Sequence, residues 1–186
     1  MVPVMSLWLP ILVSAVLVFV ASSIIHMVLG YHRSDYSRLP DEEKVLDALR
    51  PASVPPGEYI FPHAMSPAAM KDPAYLEKLN RGPVGMLTTR PAGPFNMGSS
   101  LAQWFVYCLV VSVFAAYVAG GVLGPDTGYR PVFRYTSTVA FAGYSLALIQ
   151  GSIWGWRRWS TTFKSVFDGL VYALLTGGAF GWLWPR

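Results

Sequence analysis

Long charge-free apolar runs alternate along this chain with polar, proline-punctuated stretches. The first run, residues 8–29, holds no Asp, Glu, Lys or Arg. About 20 such residues in a helix span the ~30 Å hydrocarbon core of a bilayer. Three further runs follow at about 101–123, 135–156 and 166–184, with Asp168 the one acid inside them. The turn Gly124-Pro125-Asp126-Thr127-Gly128 separates the second run from the third, and Arg157-Arg158 closes the third abruptly. Links this short make the last three runs antiparallel neighbours. The pattern predicts an all-α integral membrane protein: a four-transmembrane-helix bundle built from a first helix in residues 1–30 and a three-helix unit in 99–186. No Lys or Arg precedes the first run, and the run exceeds the 7–15 apolar residues of a signal peptide, so it is expected to be a retained anchor.

Between the first two runs, residues 31–98 read differently. They hold sixteen of the charged residues and ten of the fifteen prolines. A largely irregular cytoplasmic segment carrying short helices is expected here. Pro40-Asp41-Glu42-Glu43 suits a helix start, with Val45, Leu46 and Leu49 on one apolar face. Ser66-Pro67 suggests a second start. A third helix is expected from Asp72-Pro73 to Gly82-Pro83, with Tyr75, Leu76 and Leu79 facing one way, and the chain beyond it is expected to be irregular. Helices of this length are not stable alone, so these two faces are the expected docking surface for a protein partner or the bilayer.

Composition agrees with the pattern: 53% of residues are hydrophobic and 13% charged, against about 25% charged in soluble domains. The net charge of +4 does not indicate nucleic acid, because the basic residues are scattered rather than gathered in a stripe. Their placement sets an orientation instead. Arg33, Arg38, Lys44, Arg81, Arg90, Arg157, Arg158 and Lys164 fall on one side of a four-span arrangement, and Arg130, Arg134 and Arg186 on the other. The positive-inside rule then puts 31–98 in the cytoplasm and both termini outside, with a bacterial inner membrane the expected location. Trp104, Trp154, Trp156 and Trp159 mark one interface, and Trp8, Tyr129, Tyr135, Trp182 and Trp184 the other.

Within the runs, Ala116 and Gly120, Gly151 and Gly155, and Gly177 and Gly181 each stand four apart. That spacing lets helix backbones approach, either inside one bundle or between copies in a homo-oligomer. His26, Gln103, Gln150 and Asp168 lie at similar depth in the four runs and form an expected intramembrane polar layer. It reads either as structural hydrogen bonding or as an ion, head-group or quinone site. Asp168 has two expected partners, His26 across the bundle or Lys164 four residues earlier on its own helix. His26 and His32 do not share a face of one continuous helix, which argues against a bis-histidine haem. His63-Ala64-Met65 lacks the further ligands of a copper site. The single cysteine, Cys108, excludes an internal disulfide and reads as a small buried hydrophobe. No catalytic motif, metal site or cofactor is expected. The resulting expectation is a non-catalytic accessory or scaffold subunit in a membrane complex. A small oligomeric transporter, channel or lipid- or quinone-site protein is the second reading.

Overall fold

The computed structural model describes all 186 residues, and 68% of the chain is helical. In chain order the elements are α1 (Trp8–Met27), α2 (Glu42–Leu49), β1 (Gly57–Phe61), α3 (Pro73–Arg81), β2 (Gly85–Thr89), α4 (Met97–Val122), α5 (Tyr129–Phe141), α6 (Leu148–Ile153) and α7 (Trp159–Leu183). They belong to two compact units: Met1–Tyr36 with Asn96–Arg186, and Ser37–Phe95.

The first unit is a helical bundle. Three of its helices are long and apolar enough to cross a membrane: α1 with the 3₁₀ turn before it (Val4–Met27), α4 and α7. Their outer faces carry Val16, Val20 and Ile24, then Val110, Phe114 and Tyr117, then Phe163, Phe167 and Leu174, all exposed. Apolar surface on that scale needs a cover, and lipid supplies one. The chain is therefore a membrane-embedded protein.

Residues 135–156 do not form the single helix expected of them. After α5 the chain passes through a π turn, Ala142–Leu146, before α6 begins. The break sits against α7. A Cβ on Gly169 would stand 2.1 Å from Ser145 Oγ and 3.2 Å from the Tyr144 carbonyl oxygen. The wider turn carries Tyr144 and Ser145 into the interior, and the Tyr107 hydroxyl donates to the Gly143 carbonyl at 2.6 Å. Helix α7 also starts earlier than the expected 166. Its polar first turns face inward, where Thr162 hydrogen-bonds Ser152 of α6 at 2.7 Å. Polarity there reflects pairing between helices rather than a loop.

Small side chains set the packing. Ala115, Ala116 and Ala119 of α4 are fully buried with Leu7, Val132 and Phe180 near one end of the bundle. Ala15, Val18, Cys108, Val111, Ala140 and Ala173 make the core nearer the other end. Ser14 donates to Ser112 at 2.9 Å between α1 and α4. The glycine pairs divide. A Cβ on Gly177 would lie 2.9 Å from Ser137 and one on Gly181 2.6 Å from the Tyr129 ring, so this pair seats α7 on α5. Gly120 admits the N-terminal strand of chain, whose Val2 amide donates to the Gly120 carbonyl at 2.8 Å. Gly151 and Gly155 meet no other helix. The amides of Gly155 and Arg157 both donate to the Gly151 carbonyl at 3.1 Å, which closes α6. Four-residue spacing served helix termination there.

The second unit contains two of the three short helices expected, at 42 and 73; the start at Ser66-Pro67 leads only to a 3₁₀ turn, Ala69–Lys71. It also contains a sheet that was not expected. Strands β1 and β2 pair antiparallel, with Gly57 opposite Thr89 and Phe61 opposite Gly85. Segment 85–89 is therefore not irregular chain. Its Leu87-Thr88-Thr89 run and the Tyr59-Ile60-Phe61 run have the β-branched and aromatic content of strands. The Thr89 hydroxyl also donates to the Pro55 carbonyl at 2.6 Å. Helix α3 lies between the strands in sequence and is capped by Asp72, whose side chain accepts from the Ala74 amide at 2.8 Å.

Candidate functional site

Helix α1 loses its register at Met27. Gly30 takes a left-handed conformation (φ 67°), which costs glycine nothing and reverses the chain, and Tyr31–Ser34 continues as a 3₁₀ turn. On one continuous helix His26 and His32 would point apart. The reversal folds them together, with ring centroids 4.5 Å apart and planes within 6° of parallel. The same turn presents Tyr31, His32 and Asp35 to α7.

On α7, Asp168 is 2% exposed and accepts two side-chain hydrogen bonds, both from that turn. His32 Nε2 lies 2.7 Å from Asp168 Oδ2, and the Tyr31 hydroxyl donates to Oδ1. The other ring nitrogen of His32, Nδ1, lies 2.6 Å from Asp35 Oδ2. A carboxylate oxygen thus faces each ring nitrogen of His32. Lys164 completes the group. Its Nζ donates to Asp35 Oδ1 at 2.8 Å, to the Tyr31 carbonyl at 2.8 Å and to the Ser34 hydroxyl at 2.9 Å. Asp168, His32, Asp35 and Lys164 alternate in a line running from buried Asp168 to half-exposed Lys164.

Proton affinities at the cluster follow from its geometry. Burial pushes the Tyr31 phenol up, and the hydrogen bond to Asp168 and the charges of Asp168 and Asp35 push it further. Burial alone would raise Asp35 too. The hydrogen bonds from Lys164 and His32 outweigh it and hold the Asp35 carboxyl below the usual carboxylate range.

Of the expected polar layer, His26 and Asp168 are brought to one cluster, with His32 standing between them rather than a direct pair. Lys164 binds Asp35 and not Asp168. Gln103 and Gln150 stand apart from the cluster. Both are exposed on the outer surface, and Gln103 donates to Ser99 of its own helix at 3.3 Å. The expected docking residues are elsewhere, in the second unit. Val45, Tyr75 and Leu79 are half-buried, while Leu46, Leu49 and Leu76 are exposed.

His32, Tyr31 and Asp35 are the residues that sequence reasoning missed. Gly30 was the available signal: a glycine directly after an apolar helix marks a left-handed reversal. A reversal abolishes the helical phase on which the His26 and His32 comparison depended. The cluster can hold a fixed charge array, and His26, His32 and Asp168 bring possible ligand atoms within 4.8 Å of one another. Beneath it, the rings of Trp104, Tyr107, Tyr144 and Tyr172 pack with centroids 5.5 to 6.1 Å apart. Comparison of the chain with protein-family models, with curated proteins and with solved structures returns no match.

Proposed function

We propose that this chain is a multi-pass membrane protein acting as a non-catalytic accessory or scaffold subunit, which docks a protein partner through the Ser37–Phe95 unit. In this reading the bilayer is crossed four times. Segments α5 and α6 with the π turn make the third crossing, long enough at about 1.5 Å per residue to match the ~30 Å core. Broken backbone at membrane depth is tolerated where it is buried in protein, and the burial of Tyr144 and Ser145 supports that here. Both termini lie outside and residues 31–98 in the cytoplasm of a bacterial inner membrane, the orientation favoured by the basic residues.

The observation that carries the docking role is the absence of any buried side chain in the Ser37–Phe95 unit, which leaves Leu46, Leu49, Ile60, Leu76 and Met86 exposed. A unit without a core of its own gains stability when a partner covers such faces. The alternative of a small oligomeric transporter, channel or lipid- or quinone-site protein needs a polar layer with several walls. The outward position of Gln103 and Gln150 weighs against it.

The test uses the tagged full-length chain expressed in its native membrane, cross-linked, with co-purifying proteins quantified by mass spectrometry. Changing Leu76 and Leu79 together to Ser is expected to lower recovery of a specific partner at least several-fold with membrane insertion unchanged. An unaltered partner set would remove the docking reading.

A further inference from the structure

We propose that His26, His32 and Asp168 bind one divalent transition-metal ion of the Zn²⁺ class where α1 ends beside α7. Two imidazole nitrogens and one carboxylate oxygen form a donor set that suits Zn²⁺, Co²⁺, Ni²⁺ or Fe²⁺ better than the all-oxygen preference of Mg²⁺ or Ca²⁺. Their possible ligand atoms lie within 4.8 Å of one another. Bonds of about 2.0–2.2 Å set tetrahedral ligand atoms roughly 3.4 Å apart, so binding draws the widest pair together and spreads His32 Nε2 from Asp168 Oδ2.

The histidines are already oriented as metal ligands are. A ligating histidine almost always donates its second N–H to a carboxylate or a backbone carbonyl. His32 Nδ1 is held by the Asp35 carboxylate at 2.6 Å, and His26 Nδ1 donates to the Ser22 carbonyl at 2.9 Å. That leaves His26 Nε2 with no protein hydrogen-bond partner, and puts His32 Nε2 against Asp168 at 2.7 Å. Asp35 is in turn held by Lys164, and Asp168 by the Tyr31 hydroxyl. Each of the three ligands has a supporting partner.

The setting fits as well. His32 Nε2 and Asp168 Oδ2 already face each other, and the Asp168 and Asp35 carboxylates surround the His32 ring. A cation entering there meets buried carboxylate charge on the side of α7. An ion lies in the plane of each imidazole it binds, and the two rings are now parallel. Loading therefore tilts His26, the exposed ring of the pair. Three protein ligands leave a coordination position for water on the solvent side.

His26 discriminates this site from a purely structural network. The line Asp168–His32–Asp35–Lys164 is complete without it, and a network serving only to pin the turn to α7 has no use for its Nε2. The experiment is a Co²⁺ titration of the full-length chain, purified in detergent, stripped with EDTA and desalted, followed by visible absorption and then by displacement with Zn²⁺. One equivalent is expected to saturate, with ligand-field bands that Zn²⁺ bleaches. His26→Ala is expected to weaken binding at least about 10-fold, the loss typical of removing even a supporting partner, with thermal unfolding in EDTA unchanged. Asp168→Asn is expected to weaken it at least as much, and His63→Ala to leave it unaltered. If Asp168→Asn fails to fold, His26→Ala with the Co²⁺ spectrum still decides. Lack of saturable binding at one equivalent, undiminished binding in His26→Ala, or loss of binding in His63→Ala overturns the proposal.

Discussion

Asp168 and Lys164 stand four apart on α7, the spacing at which a helix pairs opposite charges. They nonetheless bind different partners, because the turn after α1 offers each a better one. Asp168 is buried and takes donors that come with the turn, and Lys164 reaches the turn's rim and Asp35. Removing one member of a buried pair costs roughly 3–5 kcal/mol because the other is left unpaired. We expect Asp168→Leu to destabilise the metal-free protein by about 3 kcal/mol, measured by unfolding in mixed micelles with EDTA present. His32→Leu combined with it should cost clearly less than the sum of the two changes. Additivity to within about 0.5 kcal/mol would show that the two side chains do not interact.

At the scale of elements, the π turn and α7 are cut to fit each other. Gly169 lies against Ser145 and Tyr144, and the Ser145 hydroxyl also approaches the Val166 carbonyl at 3.3 Å. Overpacking at such a contact costs roughly 1–3 kcal/mol. Gly169→Ala is expected to fall in that range, and Ser145→Ala in the same chain to recover part of the loss by removing the nearest atom. The control is Gly121→Ala, where a Cβ meets nothing within 4 Å. A neutral Gly169→Ala would mean that the π turn relaxes freely and is not held by α7.

For the whole molecule, the N-terminal residues, the turn after α4 and the C-terminal residues gather at one end of the bundle. Val2 bonds Gly120, the Asp126 amide donates to the Pro185 carbonyl at 3.1 Å, and the Trp184 indole donates to the Gly124 carbonyl at 3.0 Å. The His–Asp cluster occupies the opposite end. Such a pairing of ends accompanies an even number of crossings, and the proposed orientation makes it measurable. In a Cys108→Ala background, a cysteine placed at Asp126 should react with an impermeant maleimide in intact cells, and one placed at Glu58 should react only after lysis. Equal labelling of the two would sink the four-crossing, termini-out topology.

The sequence by itself determined the membrane-embedded character of the chain and the location of its three long apolar helices. Charge-free length is a local property, and lipid selects it directly. It also determined the two short helices at 42 and 73, because the acidic first turn of the one and the Asp72 cap and Pro73 of the other act within a few residues. The tertiary structure decided what depends on meeting partners distant in the chain. Strands β1 and β2 are short, and each is stabilised by the other across an intervening helix, so neither announces itself by periodicity. The π turn arises where Gly169 lets α7 approach, a fit that neither segment encodes alone. His26 and Asp168 were legible as polar groups in apolar runs, while His32 and Asp35 looked like ordinary loop residues. They became part of the site when Gly30 reversed the chain and laid the turn against α7, where burial and opposite charge gave those side chains their partners.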